Sequence, residues 1–273
     1  ALRDRVAALA ESEVPRGASR VETVTGDVRE LHGRPEYAGA LFQVASQFNL
    51  LEMIDPDVSP EEGVTRYAYD PTHGPACAMA AGAATIYRNY LVPVGDGIGQ
   101  TSTRQLDALA DLRAALAAGL GCDPATPWTM QNGYTRFVPE RLAAVDGYLQ
   151  SLGESERDRL RATLRIGLHW DVEVTDAVPG PRVSQAFCSA LPLGRYAFRS
   201  PHWESLARLL LEATYEATLL AAVLNASRGA SDIVLLTRVG GSAFGNPHEW
   251  IEAAMGRAMD IVREWGLRIL EVE

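Results

Sequence analysis

Ile233-Val234-Leu235-Leu236-Thr237-Arg238-Val239-Gly240-Gly241-Ser242-Ala243-Phe244-Gly245-Asn246-Pro247-His248-Glu249-Trp250 reads as a strand, a loop and a helix start in that order. Ile233 to Thr237 is a short apolar, β-branched run, the pattern of a buried strand. Gly240 to Gly245 is small throughout, apart from Phe244. Asn246 is the expected N-cap of the next helix, with Pro247 in its first turn and Glu249 as the acid near its N-terminus. Such a junction makes a place for a phosphate. Glycines let the backbone approach closely, loop N–H groups can point inward, and the helix dipole favours negative charge. The same junction also occurs in α/β proteins as a plain connection that binds nothing. It is not a P-loop, since no Gly-Lys-Ser/Thr follows, and it is not a G-x-G-x-x-G fingerprint. Phe244, alone among small residues, is placed to lie against a ribose or a base.

The rest of the chain sets limits on what this junction serves. With 273 residues there is enough chain for a sizeable core. Hydrophobic residues are 47% and charged residues 22%, the balance of a soluble globular protein. No apolar run reaches the length of a membrane span, and no membrane partner is expected. Ala1 to Val6 reads as a charged amphipathic helix and not as a signal peptide. All 25 Lys+Arg residues are Arg, which excludes a Schiff-base or P-loop lysine. The net charge of −10 argues against nonspecific nucleic-acid binding. Cys77, Cys122 and Cys188 lie far apart with no metal-ligand spacing, so no metal or other cofactor is expected, and a reducing cytoplasm fits them.

Along the chain, 2–12 reads as a helix, 15–19 as a break at Pro15 and Gly17, and Val21 to Val24 as a strand ending at Gly26-Asp27-Val28. Ala40 to Ala45 is an apolar strand interrupted by Gln43. Ser46, Gln47, Asn49 and Glu52 follow at once. Ligand contacts gather at the carboxyl ends of strands in open α/β sheets, and amide side chains there both donate and accept, which suits ribose hydroxyls. The alternative is a helix start capped by Ser46, with Asn49 and Glu52 solvated. Residues 55–73 are largely loop, with Ser59-Pro60-Glu61-Glu62 a short helix start. Asp70 and His73 then flank a second small-residue stretch, Gly74-Pro75-Ala76, which opens a helix running to Tyr90. Residues 91–100 hold a short strand. The spacing of Leu106, Leu109, Leu112 and Leu116 predicts an amphipathic helix over 103–119, and 138–165 holds two more helices parted near Gly153. Gln131 to Tyr134 makes a turn near a ligand. Strands follow at 166–175 and 183–191. A helix spans 203–225, with Glu212 and Glu216 on one solvated face. After the opening stretch come a helix over 248–265 and a last strand over 267–272. The alternation predicts an α/β fold, a mixed sheet between helices. It forms one domain over 1–273, with a helical insertion at 103–165.

Several of these stretches resemble the macro domains, nearest the poly(ADP-ribose) glycohydrolase branch. That branch reads Gly-x-Gly-Ala-Phe-Gly ahead of a helix, and Gly240-Gly241-Ser242-Ala243-Phe244-Gly245 is similar, with Ser242 in place of Gly. Gly26-Asp27-Val28 resembles the Gly-Asp-Ile/Val that follows the early strand, which implies that Asp27 meets an adenine amino group. Gln43-Val44-Ala45-Ser46 stands where the family carries Asn-Ala-Ala-Asn, a departure. The Gly74 stretch occupies the place of the first diphosphate loop. The branch's Gln-Glu-Glu triplet is absent, so Glu61-Glu62 does not match it. The resemblance implies a macro-domain-like fold and a cleft for ADP-ribose or an ADP-ribosylated substrate. Two activities are then open. One is a hydrolase of the ADP-ribosyl bond, whose oxocarbenium-like centre and positioned water suit a carboxylate, with Glu52 first and Asp70 second. The other is a non-catalytic reader of ADP-ribose or a nucleotide, which the altered Asn-Ala-Ala-Asn position and the missing Glu pair favour.

Overall fold

The computed structural model describes residues 2–11, 17–194 and 197–273, so Pro15 of the expected break lies outside the described residues. The main sheet has six strands: β1 (Arg20–Val24), β2 (Leu41–Ala45), β3 (Gly167–Glu173), β4 (Arg182–Cys188), β5 (Ile233–Leu236) and β6 (Arg268–Val272). Their order is β1-β6-β5-β2-β4-β3. All neighbours run parallel except β3, which pairs antiparallel with β4 at one edge. The sheet is therefore mixed, as the alternation predicted.

Side chains of the inner strands alternate between two apolar layers, the period-2 consequence of the pleat. Leu41, Ala186, Val234 and Leu236 join one core with the helices α8 (Glu204–Ser227) and α9 (His248–Ile261). Phe42, Val44, Phe187 and Leu235 join the other, under α2 (Val28–Gly33) and α3 (His73–Ala80), which α4 (Gly82–Ile86) follows. Burial on both faces explains why β2 and β5 read as near-continuous apolar runs. α1 (Leu2–Ala10) packs beside α8.

The segment expected as a helical insertion contains α5 (Ala110–Leu120), α6 (Pro139–Ser151) and α7 (Glu154–Arg161). Its Leu112, Leu116, Leu142 and Leu149 share a core with Leu206 and Leu210 from the first half of α8. α5 starts at Ala110, not at 103. Arg104 forms a bridge with Thr101, and the Asp107 carboxylate accepts from the Leu109 N–H at 2.9 Å, which holds the chain out of helix until there.

Two expectations for α8 change. Residues 201–227 form a helix long and apolar enough to cross a membrane, and 89% of its most apolar window is buried inside the protein. Its four charges are Glu204, Arg208, Glu212 and Glu216, and the helix beyond Glu216 carries none. Glu212 and Glu216 are also not a solvated stripe. Glu216 accepts from Arg3 Nε at 2.5 Å and Arg257 Nη1 at 2.6 Å, and Glu212 from Arg161 Nε at 2.6 Å. These pairs tie α1, α7 and α9 to α8.

Candidate active site

A cleft of about 1120 Å³ opens at the carboxyl ends of β2, β4 and β5, where open α/β sheets bind ligands. Three chain segments make its walls: the stretch after β2, the entry to α3 and the loop after β5. Ser46, Gln47 and Glu52 line the first wall, Asp70, Gly74 and Pro75 the second, and Gly240, Gly241, Ser242, Ala243 and Phe244 the third. Thus both small-residue stretches, some 165 residues apart in the chain, face one space.

The second and third walls need their glycines for physical reasons. A Cβ on Gly74 would lie 2.0 Å from the carbonyl oxygen of Ala45 and 3.2 Å from Glu52 Cγ. The first turn of α3 therefore sits directly on the end of β2, and a side chain there would push it off. Gly240 has φ +84°, and a Cβ on it would meet Ala190 Cβ at 2.5 Å. Gly245 also has positive φ, at +68°. The loop then closes on itself, with the Phe244 N–H donating to Gly241 O at 3.0 Å and the Asn246 N–H to Gly240 O at 2.8 Å. Ser242 sits at φ +42°, unusual for a side-chain-bearing residue. Gly74→Ala is expected to cost more than about 3 kcal/mol, the range of severe core overpacking and strain, seen as a lowered urea midpoint. A midpoint within error of wild type would show that α3 is free to shift.

Some expected ligand residues lie elsewhere. Asp27 caps α2, its Oδ1 accepting from the Arg29 N–H at 2.7 Å and the Glu30 N–H at 3.4 Å. Asn49 is fully buried: its Nδ2 donates to Gln105 Oε1 at 2.9 Å and its Oδ1 accepts from the Leu51 N–H at 3.1 Å. Ala76 follows Pro75 into α3, and Gly245 packs on Gly194. Asn246 is not the N-cap of α9, since that position belongs to Pro247. Its buried Nδ2 donates to the carbonyls of Leu191 and Gly240, each at 2.8 Å, so it acts as a clasp behind the loop.

Three side chains complete the cleft. Arg238 and His248 line it and touch, Arg238 Nη1 lying 3.1 Å from His248 Nδ1. Arg238 also donates to Glu252 at 3.3 Å, so the cation stands at a fixed place beside the β5 loop. Both residues lie within the stretch that begins at Ile233, where a charge just past a strand end was a usable signal. Tyr134 comes from a hairpin of Thr129–Gln131 and Tyr134–Arg136, the turn expected near a ligand. Its hydroxyl donates to Met53 O at 2.9 Å and lies 3.2 Å from Gln47 Nε2, which donates to it. Phe244 tilts against the Tyr134 ring with centroids 5.9 Å apart, so it has both a packing face and a cleft face.

Electrostatics separate the titratable groups. His73 lines the cleft, and its Nε2 lies 3.0 Å from Gln43 O. A carbonyl only accepts, so Nε2 carries the proton. Burial lowers the pKa of this ring, which leaves it neutral with Nδ1 as an acceptor. Asp70 is half-exposed at the cleft and accepts from the Thr72 N–H at 2.9 Å. Glu52 is closed from solvent, and burial pushes its carboxyl up to about 7 against the pull of Arg88. Arg88 lies outside the sequence expectations, and the signal for it was an arginine inside the apolar Ile86-Tyr87-Arg88-Asn89-Tyr90. A smaller cavity of about 360 Å³ between α6, α7 and α8 is lined by Arg161 and Arg208, which pair with Glu212 and Glu204.

No model of a known protein family matches the chain, and no curated protein matches it.

Proposed function

We propose that this cleft binds ADP-ribose and that the chain hydrolyses an ADP-ribosyl bond, on a macro-domain-like fold. The observation that carries the reading is the convergence of the Gly74 turn and the Gly240–Phe244 loop on one cleft at the strand ends. Between them a diphosphate would meet the N–H groups of the first turn of α3, the backbone of the β5 loop and the guanidinium of Arg238. The strand-end side chains Ser46 and Gln47 would face the ribose attached to the leaving group. Glu52 is the first carboxylate for the reaction and Asp70 the second, with one assisting a water against an oxocarbenium-like centre.

Side-by-side calorimetry with ADP-ribose and AMP tests the clamp. The second phosphate adds at least one charge-assisted hydrogen bond, so ADP-ribose should bind about 10-fold or more tightly than AMP. Equal affinities would remove the diphosphate from the reading. Phe244→Ala should lose about 1–3 kcal/mol of ADP-ribose binding if the ring stacks on ribose or base. Thermal melting distinguishes the alternative, in which the melting temperature drops but affinity in the folded fraction does not. A second reading, a non-catalytic ADP-ribose reader, is favoured by one observation: the Glu52 carboxylate is engaged by Arg88 and closed from solvent. Release of ADP-ribose from ADP-ribosylated substrates separates the two.

A further inference from the structure

Glu52, in the first wall of the cleft, belongs to a buried ion pair. Arg88 Nη2 is 2.9 Å from both Oε1 and Oε2 of Glu52. The side chains are only 3% and 0% exposed. Arg88 is itself anchored. Its Nε donates to Leu50 O at 2.9 Å, and its guanidinium carbon lies 3.7 Å from the centroid of the Phe187 ring. Its Nη1 is buried with no hydrogen-bond partner among the described residues, so no second carboxylate there takes over if Glu52 changes state. Arg88 belongs to a single helical turn, Tyr87–Leu91, of the wide π type that often marks functional sites.

The other titratable groups facing this pair come from three elements. The Tyr67 hydroxyl accepts from the Glu52 N–H at 3.1 Å, Cys77 faces Glu52 from α3, and His169 faces Arg88 from β3. Burial raises Tyr67 and Cys77 well above their ordinary values and lowers His169 to about 4. All three are therefore neutral at pH 7, and Arg88 supplies the charge that opposes Glu52.

We propose that Arg88 is a positioning residue of the cleft: anchored by Leu50 and Phe187, its guanidinium orients Glu52 and sets the protonation state in which Glu52 meets the ligand. The proposal rests on the reading of Glu52 as the reacting carboxylate. A carboxylate this deeply buried, left alone, takes up a proton, whereas an opposite charge within about 4–6 Å favours its ionised form by about 1–3 pKa units. Glu52 also supports the first turn of α3, since its Cγ would lie 3.2 Å from a Cβ on Gly74. A change in its orientation would be felt where the diphosphate is expected.

The test is a carboxyl 13C NMR titration of the whole chain, with the Glu52 resonance identified by its loss in Glu52→Gln. Wild type, Arg88→Lys and Arg88→Gln are compared. The Glu52 midpoint is expected to rise by about 1–3 units in Arg88→Gln. It should rise less in Arg88→Lys, which keeps the charge but loses the Leu50 anchor. Arg88→Lys also covers the case in which Arg88→Gln does not fold. An unchanged midpoint in whichever variants fold overturns the proposal. This readout needs no turnover. A midpoint that moves in a protein releasing no ADP-ribose would uphold Arg88 as the group that sets the Glu52 charge and would remove the hydrolase reading instead.

Discussion

Arg88→Met is expected to lower the stability of the folded chain by about 3–5 kcal/mol, the cost of leaving one member of a buried pair uncompensated. Urea denaturation at pH 8 measures it. The pair has little solvent to screen it, with both side chains closed, so the effect should persist in high salt, unlike that of the exposed Arg66–Glu62 pair. Replacing both residues together, in Glu52→Met/Arg88→Met, should restore much of the loss, because a well-packed apolar pair carries no buried charge. The loss should also shrink in acid. Burial raises the folded carboxyl of Glu52 from 4.5 to about 7. An acid held more tightly in the folded chain adds stability below its unfolded pKa, and this contribution fades as pH rises towards the folded value. At pH 5 Glu52 is largely protonated in the folded chain, so its attraction to Arg88 is mostly absent, and Arg88→Met should cost less there than at pH 8. Equal losses at both pH values would mean that Glu52 stays ionised throughout.

Glu52→Gln is expected to slow ADP-ribose release by roughly 10²-fold or more, the scale of a lost general acid or base. Affinity for ADP-ribose should stay within a few-fold, because Gln keeps the shape and can still accept from Arg88. Rates are compared per folded protein, since the variant also leaves the Arg88 charge unopposed. Asp70→Asn is the matched comparison. Asp70 is half-exposed and hydrogen-bonded only locally, to the Thr72 N–H, so its loss should disturb the fold little. If release survives intact in Glu52→Gln and fails in Asp70→Asn, the reacting group is Asp70. No release by the wild type from any ADP-ribosylated substrate, together with tight ADP-ribose binding, would leave the reader.

The architecture was legible where local chemistry and burial agree. β2 and β5 are apolar on both faces because both faces are covered, and the helix over 204–227 is apolar enough to be seen whole. Leu106 and Leu109 carried a helical spacing, yet Thr101 and Asp107 hold the chain out of helix until Ala110. The two glycine stretches were legible as close-packed turns because glycine at a close approach leaves a mark in sequence. Amides leave no such mark. Asn49 and Asn246 suit a ligand and a buried network equally well, and both belong to networks. Arg88 was not legible as a partner of Glu52, because the two are 36 residues apart and meet only once the turn after α4 is in place.

The strand order has a consequence for synthesis. β1 is hydrogen-bonded only to β6, and β5 lies between β6 and β2. The two strands that join β1 to the rest of the sheet are thus the last of the six to be made. Until Leu236 has emerged, the nascent chain presents β2 with one side unpaired, and until Val272 has emerged it presents β1 with no neighbour at all, an open template for other chains. At about 5–20 residues per second, the stretch from β5 through β6 takes about 2–8 s to complete. The third wall of the cleft, Gly240 to Phe244, is made within that same interval, so the cleft is walled on all three sides only after β5 has emerged.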